Sequence, residues 1–327
     1  MWNTLRRLTP ALPAFFVCDA WDRSIRACCE RARRAAMMSG RFCLDGSMDL
    51  SCTPFQRDGS VCLRLNAADG AIAEISLHGA HVLSWQPAPG RERLYLSPRA
   101  SFAEGAAIRG GIPVIFPQFG GRGSMVKHGF ARLLAWRYVG IESDTGTPAA
   151  VLELVDSEDT RRLWPAHFRA RLYVALTPAA LTVRLAIRNQ GEAPFSFTAA
   201  LHTYLRVDDL DATTVQGLEA AGFEDSRDGQ TSAAEGEPVR FQSEVDRLYP
   251  DCADALLLAQ GDEVMRISAE GFRDTVVWNP GAELAARMAD LGAGEHRHFV
   301  CVESGTVAVP VTLAPGEEWS GAQRLQS

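Results

Sequence analysis

The sequence has no run of about 20 consecutive apolar residues, the length a membrane-crossing helix needs. It has no CxxC pair either: the eight cysteines, at 18, 28, 29, 43, 52, 62, 252 and 301, follow neither a zinc-site nor a disulfide-framework spacing. Free thiols in a reducing cytosol are the expectation, and with them a cytoplasmic location. No GxSxG elbow and no P-loop occurs, and Gly120-Gly121-Arg122-Gly123 lacks the strand–GxGxxG–helix order of a dinucleotide site. No basic excess is present: the net charge is −7, which argues against a nucleic-acid binder. An anionic small molecule stays open, because a few local arginines can dominate one cleft.

The hydrophobic share is 46% and the charged share 22%, as in an ordinary globular protein. The first 45 residues differ from the rest. Arg6, Arg7, Arg23, Arg26, Arg31, Arg33 and Arg34 crowd there beside Trp2, Phe15 and Phe16, but Asp19, Asp22 and Glu30 interrupt the acid-poor pattern of an organellar transit peptide. Residues 1–45 read as a poorly ordered or helical extension, with Met37 or Met38 as a candidate original start.

From Ser60 onward the dominant period is two, the mark of half-buried strands. Leu181, Val183, Leu185 and Ile187 alternate with Thr182, Arg184, Ala186 and Arg188, and Leu172, Val174 and Leu176 alternate just upstream, so residues 169–189 are predicted to form a hairpin. Val61, Leu63 and Leu65, then Ala73, Ile75 and Leu77, repeat the pattern around the turn Ala67-Ala68-Asp69-Gly70. In the tail, His298–Glu303 and Val309–Leu313 are predicted as two strands, and Ala314-Pro315-Gly316-Glu317 as a turn. Short strands punctuated by Gly and Pro predict an all-β sandwich or barrel, with residues 50–327 as one domain.

Four segments carry polar residues that alternation does not explain. Arg109 precedes Gly110-Gly111, where a guanidinium fork beside closely approachable backbone suits a phosphate or carboxylate, or is simply a solvated strand end. Lys127, His128 and Arg132 fall within six residues, an anion pocket or a surface loop. His202 ends the apolar run Phe195–Leu201 and reads either as a packed core histidine or as a general acid. Glu303 follows another apolar run; it is either exposed at a strand end or a buried base with a raised pKa. His296-x-His298 and His78-Gly79-Ala80-His81 lack a third metal ligand nearby, so no metal and no other cofactor is expected.

Taken in order, these segments resemble the hexose-6-phosphate mutarotases (glucose-6-phosphate 1-epimerases) of the aldose 1-epimerase superfamily over about residues 55–325. The resemblance rests on LHGAHVLSWQP, LYLSPRASF, IRGGIPVIFPQFG, HGFAR, LWPAHFRA, ALHTYLRV, DTVVWNP and MADLG…FVCVESG. It implies a twisted antiparallel β-sandwich of the galactose-mutarotase type. It implies His202 and Glu303 as the catalytic pair, and Arg109, Lys127, His128, Arg132 and Asp225 as substrate-binding residues. The expected partner is a small sugar phosphate, with no nucleic acid, no membrane, and a monomeric chain. A mutarotase for unphosphorylated aldoses and a non-catalytic sugar-phosphate sensor are the alternatives. Two departures stand out: Lys127 where the family often has glutamine or an uncharged residue, and Ser304 where it has proline.

Overall fold

A computed structural model describes residues 50–327 except 144, 145, 178 and 254. The expected extension at residues 1–45, with Cys18, Cys28, Cys29 and Cys43, lies outside the described residues. Among the described residues no helix is long and apolar enough to cross a membrane.

The chain runs almost entirely as strands. The first are β1 (Leu50–Arg57), β2 (Ser60–Ala67), β3 (Ile72–Ser76), β4 (His81–Gln86), β5 (Val114–Ile115), β6 (Arg137–Glu142) and β7 (Ala149–Val155). After helix α1 (Glu158–Leu163) come β8 (Phe168–Thr177), β9 (Ala180–Asn189), β10 (Phe195–Leu201), β11 (Tyr204–Arg206), β12 (Thr213–Gln216) and β13 (Phe223–Asp225). Then follow β14 (Gln230–Ser232), β15 (Val245–Tyr249), β16 (Leu256–Gln260), β17 (Glu263–Glu270) and β18 (Asp274–Asn279). Helix α2 (Gly281–Ala285) precedes β19 (Phe299–Leu313) and β20 (Glu318–Gln326).

The strands make a small sheet, β1-β2-β3-β4, and two larger ones. One orders β14-β13-β15-β18-β19-β10-β5 with β11 also on β19; the other orders β12-β16-β17-β20-β9-β8-β7-β6. This is the twisted antiparallel sandwich expected from the sequence. The predicted hairpin is β8–β9, paired from Phe168↔Asn189 to Thr177↔Ala180, and Leu181, Val183, Leu185 and Ile187 are buried on its inner face. Aromatic side chains join the two large sheets: Phe116 packs edge-on against Phe168 and Phe197, and Phe197 against Trp319. Polar contact crosses as well, since Gln323 on β20 donates to the Val302 carbonyl and to the Ser304 hydroxyl on β19. Ser304, the departure from proline, thus has a buried partner.

The tail differs from its predicted two strands. β19 is one 15-residue strand, and the register against β10 shifts so that Phe197 faces Val311 while Ala199 faces Thr306. The extra residues are held by Asp274, whose carboxylate accepts from the Val307 and Ala308 amides at 2.7 and 2.9 Å. A bulge whose free amides are satisfied keeps the strand continuous where the sequence pattern shows a break.

Candidate active site

The pairing of Leu201 with Ser304 and of Tyr204 with Cys301 sets His202 opposite Glu303 on the neighbouring strand. Thr203 and Ser304 both reach Gln323 in the sandwich interior. Alternation therefore sends His202 and Glu303 to the opposite face of the sheet, away from β20. On that face lies a cavity of about 910 Å³, lined by both residues and by Arg109, Lys127, His128 and Arg132.

His202 and Glu303 form the cavity floor. The imidazole Nε2 lies 3.3 Å from the carboxylate Oε1, and Glu303 is only 1% exposed. His202 Nδ1 and Glu303 Oε2 are buried with no hydrogen-bond partner. Buried polar atoms are nearly always satisfied, so two orphaned atoms on the pair that lines one cavity stand out. Burial first, then the charge of Asp246, raises the Glu303 pKa well above the carboxylate range. Burial first, then His128, Arg132 and Arg109, lowers His202 well below its ordinary value. Both shifts favour the uncharged forms of the pair, a neutral imidazole beside a protonated carboxyl. That state has the same proton count as imidazolium beside carboxylate, so the pair holds one transferable proton.

The cations are not equivalent. Arg109 is already engaged: its Nε and Nη2 meet Asp290 at 3.1 and 2.9 Å, and its Nη1 donates to the Tyr204 hydroxyl at 2.8 Å. Burial opposes its charge, but Tyr204 and Asp290 outweigh that and raise its pKa. Arg132 donates one Nη2 hydrogen bond to the Lys127 carbonyl, and its buried Nε has no partner; burial lowers its pKa. Lys127 is the only lysine in the 327 residues, and among the described residues its ammonium makes no ion pair. The guanidinium and ammonium groups open to an incoming anion are those of Arg132 and Lys127.

The backbone around these groups is tightly specified. Gly110 and Gly111 have φ of 109° and 60°, and a Cβ there would come within 2.4 Å of the Tyr95 carbonyl and 2.2 Å of the Val82 carbonyl respectively. The His78 and His81 rings lie 2.6 and 2.7 Å from the carbonyls of Ala106 and Gly110, on either side of Arg109. A carbonyl only accepts, so Nε2 carries the proton in each ring, and the HGAH segment clamps the loop that presents Arg109. His128 has φ of 70°, unusual for a residue with a side chain and a form of strain found at functional sites. Its Nδ1 accepts from the Gly120 amide at 3.3 Å, which leaves Nε2 as the N–H donor of a neutral ring. Burial, with Arg132 and Lys127 adding to it, keeps this imidazole uncharged.

Asp225 is the sequence-identified residue that the cavity does not contain. It pairs with Arg247 across β13–β15 and gives its carboxylate to Arg227, whose Nε donates to Oδ1 at 2.8 Å. Its strand neighbours Glu224 and Ser226 line the cavity instead. One residue along a strand reverses the face, and that is the physical reason for the displacement. The aspartate in the lining is Asp246, which lies on β15 and is preceded two residues earlier by Glu244, also in the lining. Burial raises its pKa, against a hydrogen bond from Ser226 and the charge of Lys127. A sequence signal for it existed: Glu244-x-Asp246 places two carboxylates on one face of a strand. Arg122, also unassigned from sequence, lines the cavity and forms an ion pair with Glu224.

Comparison with known proteins gives the family of the chain. The family model for aldose 1-epimerase matches residues 61–326. A Cenchrus ciliaris protein named "Putative glucose-6-phosphate 1-epimerase" is 38% identical over 274 residues, covering 80% of this chain and 83% of its own. An Escherichia coli K12 protein of the same name is 35% identical over 244 residues, with 71% and 79% covered. The crystal structure of a "putative mutarotase" from Salmonella typhimurium superposes with a TM-score of 0.77 at 26% identity, over 90% of this chain and 98% of that one.

Proposed function

The chain belongs to the aldose 1-epimerase family, and from that premise we propose that it interconverts the α and β anomers of a hexose 6-phosphate, glucose 6-phosphate foremost, by proton transfer through Glu303 and His202. An aldose 1-epimerase is an isomerase of hexose anomers. Family membership carries the isomerisation; the phosphate and the proton carriers rest on the site. The observation behind both is that a cross-strand His/Glu pair with two orphaned polar atoms shares its cavity with Lys127 and Arg132.

Mutarotation requires a proton to leave the C1 hydroxyl and another to reach the ring oxygen. As carboxylate and imidazolium, Glu303 takes the first and His202 gives the second. The bond between C1 and the ring oxygen breaks, leaving an aldehyde at C1 and a hydroxyl on the former ring carbon. Rotation about C1–C2 presents the other aldehyde face, and closure returns both protons with the two roles exchanged. Bond and proton counts balance without hydride, nucleophile or second substrate. The phosphate, held by Arg132 and Lys127, fixes the sugar so that its anomeric end meets the pair. Neutral His128, an N–H donor beside His202, adds a hydrogen bond to a sugar oxygen.

Anomer exchange followed by NMR or polarimetry tests the reading. Arg132→Ala is expected to raise KM for glucose 6-phosphate by roughly one to two orders of magnitude, the loss of charge-assisted hydrogen bonds to phosphate, while exchange of free glucose is little changed. Equal losses on both substrates would point to a mutarotase for unphosphorylated aldoses. Saturable binding of glucose 6-phosphate with no acceleration of exchange would instead point to a sensor.

A further inference from the structure

Catalytic imidazoles are usually oriented by a hydrogen bond on the nitrogen that does not transfer the proton. His202 has no such bond to another residue: its Nδ1 is buried with no partner beyond its own backbone. Ring packing does the orienting instead. The imidazole lies flat on the Tyr204 ring, with centroids 4.9 Å apart and planes 9° from parallel, and the edges of His128 and Trp278 close its sides. Tyr204 occupies this place because it is two residues along from His202 and so shares its face of the sheet. The same side chain accepts the 2.8 Å hydrogen bond from Arg109.

From this the structure assigns Tyr204 as a positioning residue: its ring sets the plane of the His202 imidazole, and its hydroxyl fixes the Arg109 guanidinium at the cavity wall. This role rests on the anomer-exchange reading given above. Tyr204 is buried in an apolar cluster with Tyr95, Phe299 and Cys301, and packing alone accounts for that. Packing does not account for a hydroxyl aimed at a cavity arginine or for a ring face turned to the His202 imidazole, whose Nδ1 no other residue holds. The two functions of the side chain are separable by substitution. Phenylalanine keeps the stack and removes the acceptor; leucine removes both.

The experiment uses the full chain and three readouts: kcat, KM, and the ring-proton chemical shifts of His202, which the Tyr204 ring current displaces. Tyr204→Phe is expected to raise KM for glucose 6-phosphate severalfold, because an Arg109 guanidinium released from the hydroxyl no longer keeps its place in the cavity wall, with kcat and the His202 shifts retained. Tyr204→Leu is expected to lower kcat by about one to two orders of magnitude through a misplaced imidazole, and to move the His202 shifts toward those of an unstacked ring. Wild-type kinetics and shifts in both variants overturn the assignment. So does a lowered Tm with kcat, KM and ring shifts unchanged, since packing alone does no more than that. Should Tyr204→Leu fail to fold, an unchanged KM in Tyr204→Phe overturns it. Wild-type protein that leaves glucose 6-phosphate exchange at its spontaneous rate overturns the underlying reaction instead, and the His202 shifts then still test the orientation.

Discussion

Glu153 on β7 and Glu303 on β19 are both mid-strand carboxylates with little exposure, 9% and 1% of the side chain. Their chemistry runs in opposite directions. Burial pushes Glu153 up, but hydrogen bonds from Arg171 and Arg137 outweigh it and hold the carboxyl below its ordinary value. Glu303 has no arginine hydrogen bond; burial, then the charge of Asp246, outweighs Lys127 and Arg132, and the pKa rises. The fold is able to satisfy an enclosed glutamate with arginines, as the β6–β8 ladder does. Leaving one unsatisfied, beside a histidine in the same condition, carries a stability cost that a purely structural strand position would not need.

The comparison is easiest to break through the rate. Glu303→Gln and His202→Ala are each expected to slow anomer exchange of glucose 6-phosphate by about 10²–10⁴, the usual worth of a positioned acid or base. Glu153→Gln is expected to leave it unchanged. Near-normal exchange in both cavity variants would remove Glu303 from any special standing.

A second contrast, smaller in effect, sets Asp246 against Asp225. Asp246→Asn is expected to lower kcat/KM by roughly tenfold, since it replaces a carboxylate of the cavity wall by an amide and removes a charge felt by Glu303. Asp225→Asn faces the other way, and steady-state kinetics should not register it. Equal losses in the two would mean that the sheet faces are misassigned.

Stability against pH gives the smallest effect and the sharpest sign. Glu303 has a raised pKa, so wild-type protein loses stability as pH climbs from the ordinary carboxylate value of 4.5 through the raised one. Glu303→Gln escapes that loss, and its Tm should exceed wild type by on the order of a few degrees at neutral pH, with the gap closing toward pH 4. Glu153 has a lowered pKa, so its contribution is present above 4.5 and fades as pH falls through the lowered value. Glu153→Gln should therefore melt below wild type at neutral pH and converge with it in acid. Thermal melts across pH that shift both variants in the same direction would contradict the contrast.

Much of this was legible in the sequence, and the limits have physical causes. Strict alternation gave β8 and β9 because both faces of that hairpin meet clear environments, core on one side and charged ladder on the other. The His202 and Glu303 segments were legible as polar ends of apolar runs, but their register was not, since cross-strand pairing is a long-range fact. The tail strand read as two because a bulge fed by Asp274 has no local signature. Which aspartate faces the cavity, Asp225 or Asp246, is not legible locally, because face assignment changes with each residue and needs the strand's frame. Arg109 read as an open anion binder, yet its partner Asp290 lies 181 positions away and no local pattern announces it.

The solitary Lys127 has a practical consequence. An amine-directed reagent finds one side chain in these 327 residues, and that side chain lines the cavity. Apart from the terminal amino group, acylation or reductive labelling of the chain is therefore labelling of the cavity wall, readable as a single mass increment. Slower labelling in the presence of a sugar phosphate would report occupancy directly, on unmutated protein and without following a reaction. Few chains carry a reporter of their own site in their native composition.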